Sequence, residues 1–470
     1  MIAFAAAFAG DSWPLLLGVV IVLAAIFAIF RQIDVRFALF IAALALGALA
    51  GQVDAILRKF LATFSDERFV IPICSAMGFS YVLRQTGCDL QLVRLLMKPL
   101  VRMRSLLLPG AVLVGYLVNM PVVSQASTAL AIGPVIIPIL RAARIPATVI
   151  AAALLLGSSI GGELFNPGAP ELRTTVVESN KAAIALGYDR IFTTADCIER
   201  LRPLNLLGLT VATLFFWWRS RHALEPLPEG EVSVDLREAA DLHVNFLQAM
   251  VPLVPLVFLA FFAPGIGLVE LLGLHHLHIP HAWLEDNPGQ FETRLIGVAM
   301  LIGVAAAVLT TPHNIPHAAE SFFQGAGFGF ANIVSIIVAA NCFGKGLELI
   351  GIARLLTDHL ASDPRILVVT AGVTSLGFAV LCGSGMATAQ SLFPFFATSA
   401  LQLGIDPTHV GAVVSLAAAA GRTMSPMSAV NQMCARLTDT RAVDLTRQVA
   451  PPLLAAMAAV IFVAATWIPR

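Results

Sequence analysis

The chain has 470 residues, 58% of them hydrophobic and only 12% charged, with a mean hydropathy of +0.85. Soluble domains carry about 25% charged residues, so a conventional water-facing surface is excluded. Lys plus Arg and Asp plus Glu balance at 29 each, which leaves no basic footprint for nucleic acid.

A helix that crosses a bilayer needs about 20 apolar residues, and within a membrane only helices or closed barrels satisfy their own backbone. The Ala-rich start, Met1 to Gly10, lacks a basic leader region and reads as a lead-in to the first span. Apolar runs predict spans at 13–30, 37–51, 69–85, 106–122, 148–162 and 204–218. After a hydrophilic stretch from Arg219 to Leu242 they resume at 246–262, 295–309, 330–344, 366–382, 410–422 and 452–467. Two further stretches, 123–140 and 383–401, are apolar but open with small polar residues and contain proline. The prediction is an all-α polytopic membrane protein: a first repeat over 1–218, a cytoplasmic linker over 219–245 and a second, inverted repeat over 246–470. Counting each proline-containing stretch as one crossing gives the halves equal odd numbers of crossings and hence opposite orientations.

Basic residues set the orientation. Arg84, Arg94, Lys98, Arg102 and Arg104 form the densest cluster and, with Arg219, Arg221 and Arg237, mark the cytoplasmic side of a multi-pass inner-membrane protein. Leu92, Leu95, Leu96 and Leu100 recur at helical spacing within that cluster, which suits an interfacial helix.

The halves share a pattern. Ser124, Thr128, Ala129 and Pro134 match Ser384, Thr388, Ala389 and Pro394 at one constant offset. Gly161-Gly-Glu-Leu-Phe-Asn-Pro167 then answers Gly421-Arg-Thr-Met-Ser-Pro426, and Gly87 before Arg94 answers Gly351 before Arg354. Interrupted apolar segments at matching places in inverted halves point to a midplane binding site, because irregular backbone is tolerable there only around a cavity or inside protein. Hydroxyls and freed N–H groups at half-helix starts suit an anion, and freed carbonyls suit a coupling cation. The substrate-binding candidates are Ser124, Gln125, Ser127, Thr128, Asn166, Ser384, Gly385, Thr388, Arg422, Thr423 and Ser425; the ion-coupling candidates are Ser158, Gly161, Glu163 and Gly421. The plainer alternative is that these small residues only tighten helix packing.

Glu163 and Arg422 are the intramembrane charges, one in the second break of each half. A charge at mid-bilayer costs about 2.5–3.5 kcal/mol on insertion scales, so such residues face a cavity or each other. Arg422 holds a substrate carboxylate in one reading and simply pairs with Glu163 across the halves in the other. Lys345 and Glu348 read as a local pair near a span end.

Other features carry less. The six Cys are scattered without a C-x-x-C pair. His313 and His317 are separated by helix-breaking Pro316, and His275, His276, His278 and His281 read as a loop. Gly325-Ala-Gly-Phe-Gly-Phe330 lacks the strand–turn–helix setting of a nucleotide loop and reads as close helix packing or a hinge. No nucleotide, protease or hydrolase motif is present, so the sequence predicts neither an enzyme nor a resident cofactor.

From about Phe69 to the end the chain resembles the DcuC family of anaerobic C4-dicarboxylate carriers. The likeness rests on Gly325–Gly346, on Gly383-Ser-Gly-Met-Ala-Thr388, on Gly421-Arg-Thr-Met-Ser-Pro-Met427 and on Val122-Val-Ser-Gln-Ala-Ser-Thr-Ala129. It implies two inverted repeats with re-entrant hairpins, a scaffold that dimerises and a transport domain moving in an elevator-like way. It also implies succinate, fumarate or malate as cargo, carried on an ion gradient (Na+ or H+) or by exchange. The Ser-Asn-Thr signature of sodium-coupled relatives is not literal here: Ser124-Gln-Ala-Ser-Thr128 and Ser384-Gly-Met-Ala-Thr388 stand in its place. A carrier of another small organic anion, and an anion channel, are the alternative readings.

Overall fold

The computed structural model describes residues 13–31, 33–100, 106–221, 243–262, 291–312, 315–351 and 363–468, and every regular element among them is helical. In chain order these are α1 (Trp13–Phe30), α2 (Val35–Leu49), α3 (Val53–Phe64), α4 (Glu67–Thr86), α5 (Cys88–Met97), α6 (Leu107–Asn119), α7 (Gln125–Ala142), α8 (Ala147–Ser159), α9 (Pro170–Leu186) and α10 (Thr194–Ser220). They continue as α11 (Phe246–Phe262, with a tight turn at Val251–Leu253), α12 (Phe291–Thr310), α13 (Ile315–Gly329), α14 (Ser335–Leu349), α15 (Pro364–Cys382), α16 (Gly385–Gln402), α17 (Pro407–Met424), α18 (Ala429–Thr438) and α19 (Ala442–Thr466).

The chain starts and stops these helices with local chemistry. Side chains of Asp34, Asp66, Asp363 and Asp406 accept the first free N–H groups of α2, α4, α15 and α17. Ser124 and Ser384 do the same for α7 and α16, so the matched serines of the sequence pattern are matched caps. Thr193 and Asp196 close a capping box on α10. Gly87, Gly187 and Gly383 end their helices in the left-handed conformation.

Two helical groups result. In the first, α2 and α3 pack on α14, α4 lies along α12 and α13, and α5 rests on α11. In the second, one order of elements occurs twice: paired helices, a helix ended by a break, a shorter helix, a long helix. It runs through α6–α10 and again through α15–α19, and the two runs interlock, with α9 on α16, α18 on α7 and α10 on α19. The groups meet where α14 touches α16 and where α5 touches α6 and α7.

Several expected spans take another form. Residues 123–140 do not continue the preceding run; they fold back on it. The Asn119 amide donates to the Thr128 hydroxyl at 3.2 Å, and Gly115 faces Ile132, so α6 and α7 run antiparallel. Pro121 sits in the break, while the Asn119 amide also donates to the Val122 carbonyl at 3.1 Å. Likewise α15 ends at Gly383 with φ of +68° and α16 packs beside it. Each stretch is the second arm of an antiparallel pair, and Gln125–Ala142 is by itself long and apolar enough to cross a membrane.

The stretch between the expected spans 148–162 and 204–218 is helical as well. It holds α9, and the apolar helical stretch Ala147–Leu186 contains a window that is 89% buried. Glu171, Arg173, Glu178 and Lys181 hide α9 from a hydropathy reading. The span at 330–344 begins earlier, because α13 runs into α14 through a π-turn at Phe330–Val334. The glycine run packs: a Cβ on Gly325 would lie 2.9 Å from the Gly78 Cα of α4. The lead-in at 1–10, the four-histidine group, His313 and most of the 219–245 linker lie outside the described residues.

Gly157 of α8 and Gly115 of α6 let two backbones touch, since a Cβ on Gly115 would stand 2.8 Å from the Gly157 Cα. Gly157→Leu is expected to destabilise the protein by about 1–3 kcal/mol through overpacking. The readout is the melting temperature of purified protein in detergent, and an unchanged value would show that this approach is not needed.

Candidate functional site

The breaks in the two interlocked runs meet at one buried ionic cluster. After α8, Gly161 takes φ of +112°, a conformation that favours glycine, and a tight turn over Gly162–Phe165 carries Glu163 inward. The Asn205 amide of α10 donates to the Gly161 carbonyl at 2.8 Å, and the Tyr116 hydroxyl donates to Asn205 at 2.9 Å. The Glu163 N–H donates to the Asn119 side-chain oxygen at 3.0 Å, tying the turn to the break between α6 and α7.

Arg422, on the last turn of α17, reaches into this turn. Its Nη2 lies 2.5 Å from the Glu163 carboxylate and donates to the Ser159 carbonyl at 3.2 Å; its Nη1 lies 3.4 Å from the Glu171 carboxylate. Glu163 is fully buried, Glu171 is 2% exposed and Arg422 is 5% exposed. Each carboxylate keeps one oxygen, and the guanidinium keeps its Nε, without a hydrogen-bond partner. Such spare capacity in a buried ionic group is costly and is a mark of functional sites.

Both capped helix starts abut this cluster. At the start of α7, the Gln125 amide donates to the Glu163 carboxylate at 3.0 Å. At the start of α16, a Cβ on Gly385 would stand 3.1 Å from Arg422 Nη1 and 3.2 Å from Glu171 Oε1. Thr423 adds a bridge, donating to the Ser159 carbonyl at 3.0 Å, with its hydroxyl 2.8 Å from that of Ser159.

The candidates therefore divide. Gln125, Glu163, Gly385, Arg422 and Thr423 converge directly, with Gly161 shaping the turn. Ser124 and Ser384 hold the helix starts, and Ser127 gives its N–H to Ser124 at 3.3 Å. Thr128 and Thr388 bond back to the Ser124 and Ser384 carbonyls at 3.1 and 2.8 Å. Asn166 braces the first break by donating to the Met120 carbonyl at 2.9 Å, and Ser425 lies beside Gly383 in the second. Ser158 is turned away, bonding the Leu154 carbonyl of its own helix at 2.7 Å. Gly421 serves packing, because a Cβ there would sit 2.6 Å from the Leu376 carbonyl of α15. Glu171, Ser159, Asn119 and Asn205 were not singled out by sequence. The signal for Asn119 was a lone amide beside Pro121 in an apolar run; Glu171 sits between the expected spans 148–162 and 204–218.

Comparison with known proteins adds the family. Residues 68–468 match the family described as DcuC, C4-dicarboxylate anaerobic carrier. The anaerobic C4-dicarboxylate transporter DcuC of Escherichia coli is 22% identical over 83% of this chain and 79% of its own length. Its probable counterpart in Vibrio cholerae is 24% identical over 82% of this chain and 78% of its own. A putative uncharacterized transporter of Haemophilus influenzae is 30% identical over 46% of this chain and 71% of its own. Among solved structures, Neisseria gonorrhoeae MtrF, titled as one of a class of antimetabolite efflux pumps, aligns with a TM-score of 0.62 at 16% identity, covering 88% of this chain and 84% of its own. The Alcanivorax borkumensis YdaH transporter aligns at 0.59 and 18% identity, covering 97% and 98%. These two likenesses establish the fold.

Proposed function

Because the chain belongs to the DcuC family of C4-dicarboxylate carriers, a multi-pass inner-membrane transporter and not an enzyme, we propose that it is a secondary carrier of succinate-, fumarate- or malate-like dianions, driven by protons through the Glu163–Arg422–Glu171 cluster. The observation that carries this reading is the convergence of two capped helix starts and one arginine between two buried carboxylates.

Charge decides the coupling ion. Two ionised glutamates and one arginine sum to −1. Two helix starts contribute about half a positive charge each, which brings the cluster near neutrality. A dianion entering that balance would leave about two uncompensated negative charges in a buried site, at a prohibitive cost. A proton on each glutamate restores neutrality and frees the guanidinium for a substrate carboxylate, which it grips with two parallel N–H groups. Gln125, Ser127, Thr423 and the backbone N–H groups at the starts of α7 and α16 complete the anion's surroundings. Sodium coupling would need freed carbonyls around a cation, whereas the Ser159 and Gly161 carbonyls are held by Arg422, Thr423 and Asn205.

In this reading α6–α10 and α15–α19 are inverted repeats forming a transport body with re-entrant arms α6–α7 and α15–α16. That body slides against α1–α5 and α11–α14, which serve as the scaffold and homodimer face. The repeated order of elements and the division into two helical groups support it. The test is uptake of labelled succinate by proteoliposomes. An inward proton gradient is expected to drive saturable accumulation about 100-fold above a sodium gradient alone, the scale of two protons at a pH difference of about one. Accumulation under sodium and not under protons would overturn the coupling assigned here.

A further inference from the structure

A cavity of about 690 Å3 opens where α9 and α16 finish, between them and α3 and α14. It is separate from the ionic cluster, and none of the residues assigned to the cluster lines it. Its volume falls within the roughly 300–1,000 Å3 of small-molecule sites.

Its charge is positive. Lys59, Lys181 and Lys345 line it against Glu178 and Glu348, for a net +1. Lys181 is 2.5 Å from Glu178 and Lys345 is 2.9 Å from Glu348. Lys59 makes no ion pair with a described residue, so one ammonium is uncompensated where the walls come from four helices. Two buried amides complete the lining with unused capacity. Asn341 is 6% exposed and its Nδ2 has no partner; Gln390 is 2% exposed and its Oε1 has none. A buried amide without a partner costs about 1–3 kcal/mol unless something polar arrives to meet it.

The floor leads to the cluster. Gln390 of α16 donates to the Thr174 hydroxyl of α9, and Thr174 stands about one helical turn beyond Glu171. Glu171 contacts Arg422.

We propose that this cavity is a second anion-binding site, an antechamber in which the three lysines and the Asn341 amide hold a dicarboxylate before it passes Gln390 and Thr174 to the cluster. The inference rests on the carrier reading and adds the step that precedes it. A cluster near neutrality offers a free dianion no attraction, so an attractive station outside it raises the local concentration of cargo, an effect of about 10- to 1,000-fold in clefts of one sign.

The test is succinate uptake by proteoliposomes at low and high salt, comparing the natural protein with Lys59→Gln, Lys59→Glu and Asn341→Leu. Lys59→Glu is expected to raise the KM about tenfold at low salt, Lys59→Gln less, and both effects are expected to shrink at high salt as screening removes the attraction. A merely structural role for Lys59 would lower the melting temperature and would not give a salt-dependent KM. Identical KM values for the natural protein and Lys59→Glu at every salt concentration overturn the antechamber while leaving the carrier reading intact. No uptake by the natural protein overturns the carrier reading, and this inference with it.

Discussion

Arg422→Gln is expected to abolish transport, with a loss of at least about 100-fold, and to lower stability sharply. The guanidinium is the partner that holds Glu163 and Glu171 in place, at 2.5 and 3.4 Å, and both carboxylates are buried. Removing one partner of a buried ion pair costs about 3–5 kcal/mol, because the remaining charge is left without compensation. That is a large share of the about 5–15 kcal/mol that holds a typical protein folded. Arg422→Lys keeps the charge but loses the planar, two-point grip, so it is expected to fold and to transport weakly. Yield and melting temperature in detergent, measured beside initial uptake, separate the structural from the transport effect. Near-normal uptake by Arg422→Lys would contradict a bidentate contact with the cargo.

Glu171→Gln is expected to change the pH response. The amide mimics the protonated acid in shape and charge, so the variant mimics a site already loaded with one proton. In the natural protein, uptake should rise as pH falls through the range in which the cluster takes up protons. The sign follows from charge: each proton bound makes the cluster less negative and the dianion more welcome. Glu163 and Arg422 are the charged groups that contact or adjoin Glu171 in the cluster, and both remain in the variant. Glu171→Gln should therefore show a shallower pH profile and weaker accumulation under a proton gradient, while exchange of internal for external succinate continues. A variant whose accumulation still follows the proton gradient as steeply as the natural protein's would remove Glu171 from the coupling.

Much of this was legible in the sequence. Most apolar runs marked helices within a few residues, as with Pro364–Cys382 against 366–382, whereas α10 and α19 start at Thr194 and Ala442, well before the expected 204 and 452. The serines at 124 and 384 stood out by their matched offset and were read as anion ligands; both prove to be helix caps. Glu163 and Arg422 stood out because charge is scarce in such a chain, and they pair across the two halves. What escaped the sequence has physical causes. Hydropathy marked the two arms but not how closely they pack; the tight return of α7 along α6 depends on Pro121 and on the Asn119 side chain. Burial of α9 within the protein lets it carry Glu171, Arg173 and Glu178, charges that kept it out of the apolar runs. Lys345 and Glu348 form the expected local pair, yet together with Lys59 and Lys181 they also line a cavity that no single segment could announce. Ser158 and Gly421 match the break pattern in sequence, but Ser158 bonds within its own helix and Gly421 packs against α15.

The most direct test of the cluster as the substrate site is counterflow of labelled succinate with the double variant Glu163→Gln plus Arg422→Gln. It removes one charge of each sign, and the lone Glu171 can remain neutral by keeping a proton, so the variant is expected to fold. The natural protein, loaded inside with unlabelled succinate, is expected to draw in labelled succinate in a saturable way that fumarate and malate suppress. The double variant is expected to melt within a few degrees of the natural protein and to show counterflow reduced at least about 100-fold, the loss of roughly 3 kcal/mol of anion contact. A double variant that folds and exchanges succinate at the natural rate would show that Glu163 and Arg422 only join the two halves and that the cargo binds elsewhere.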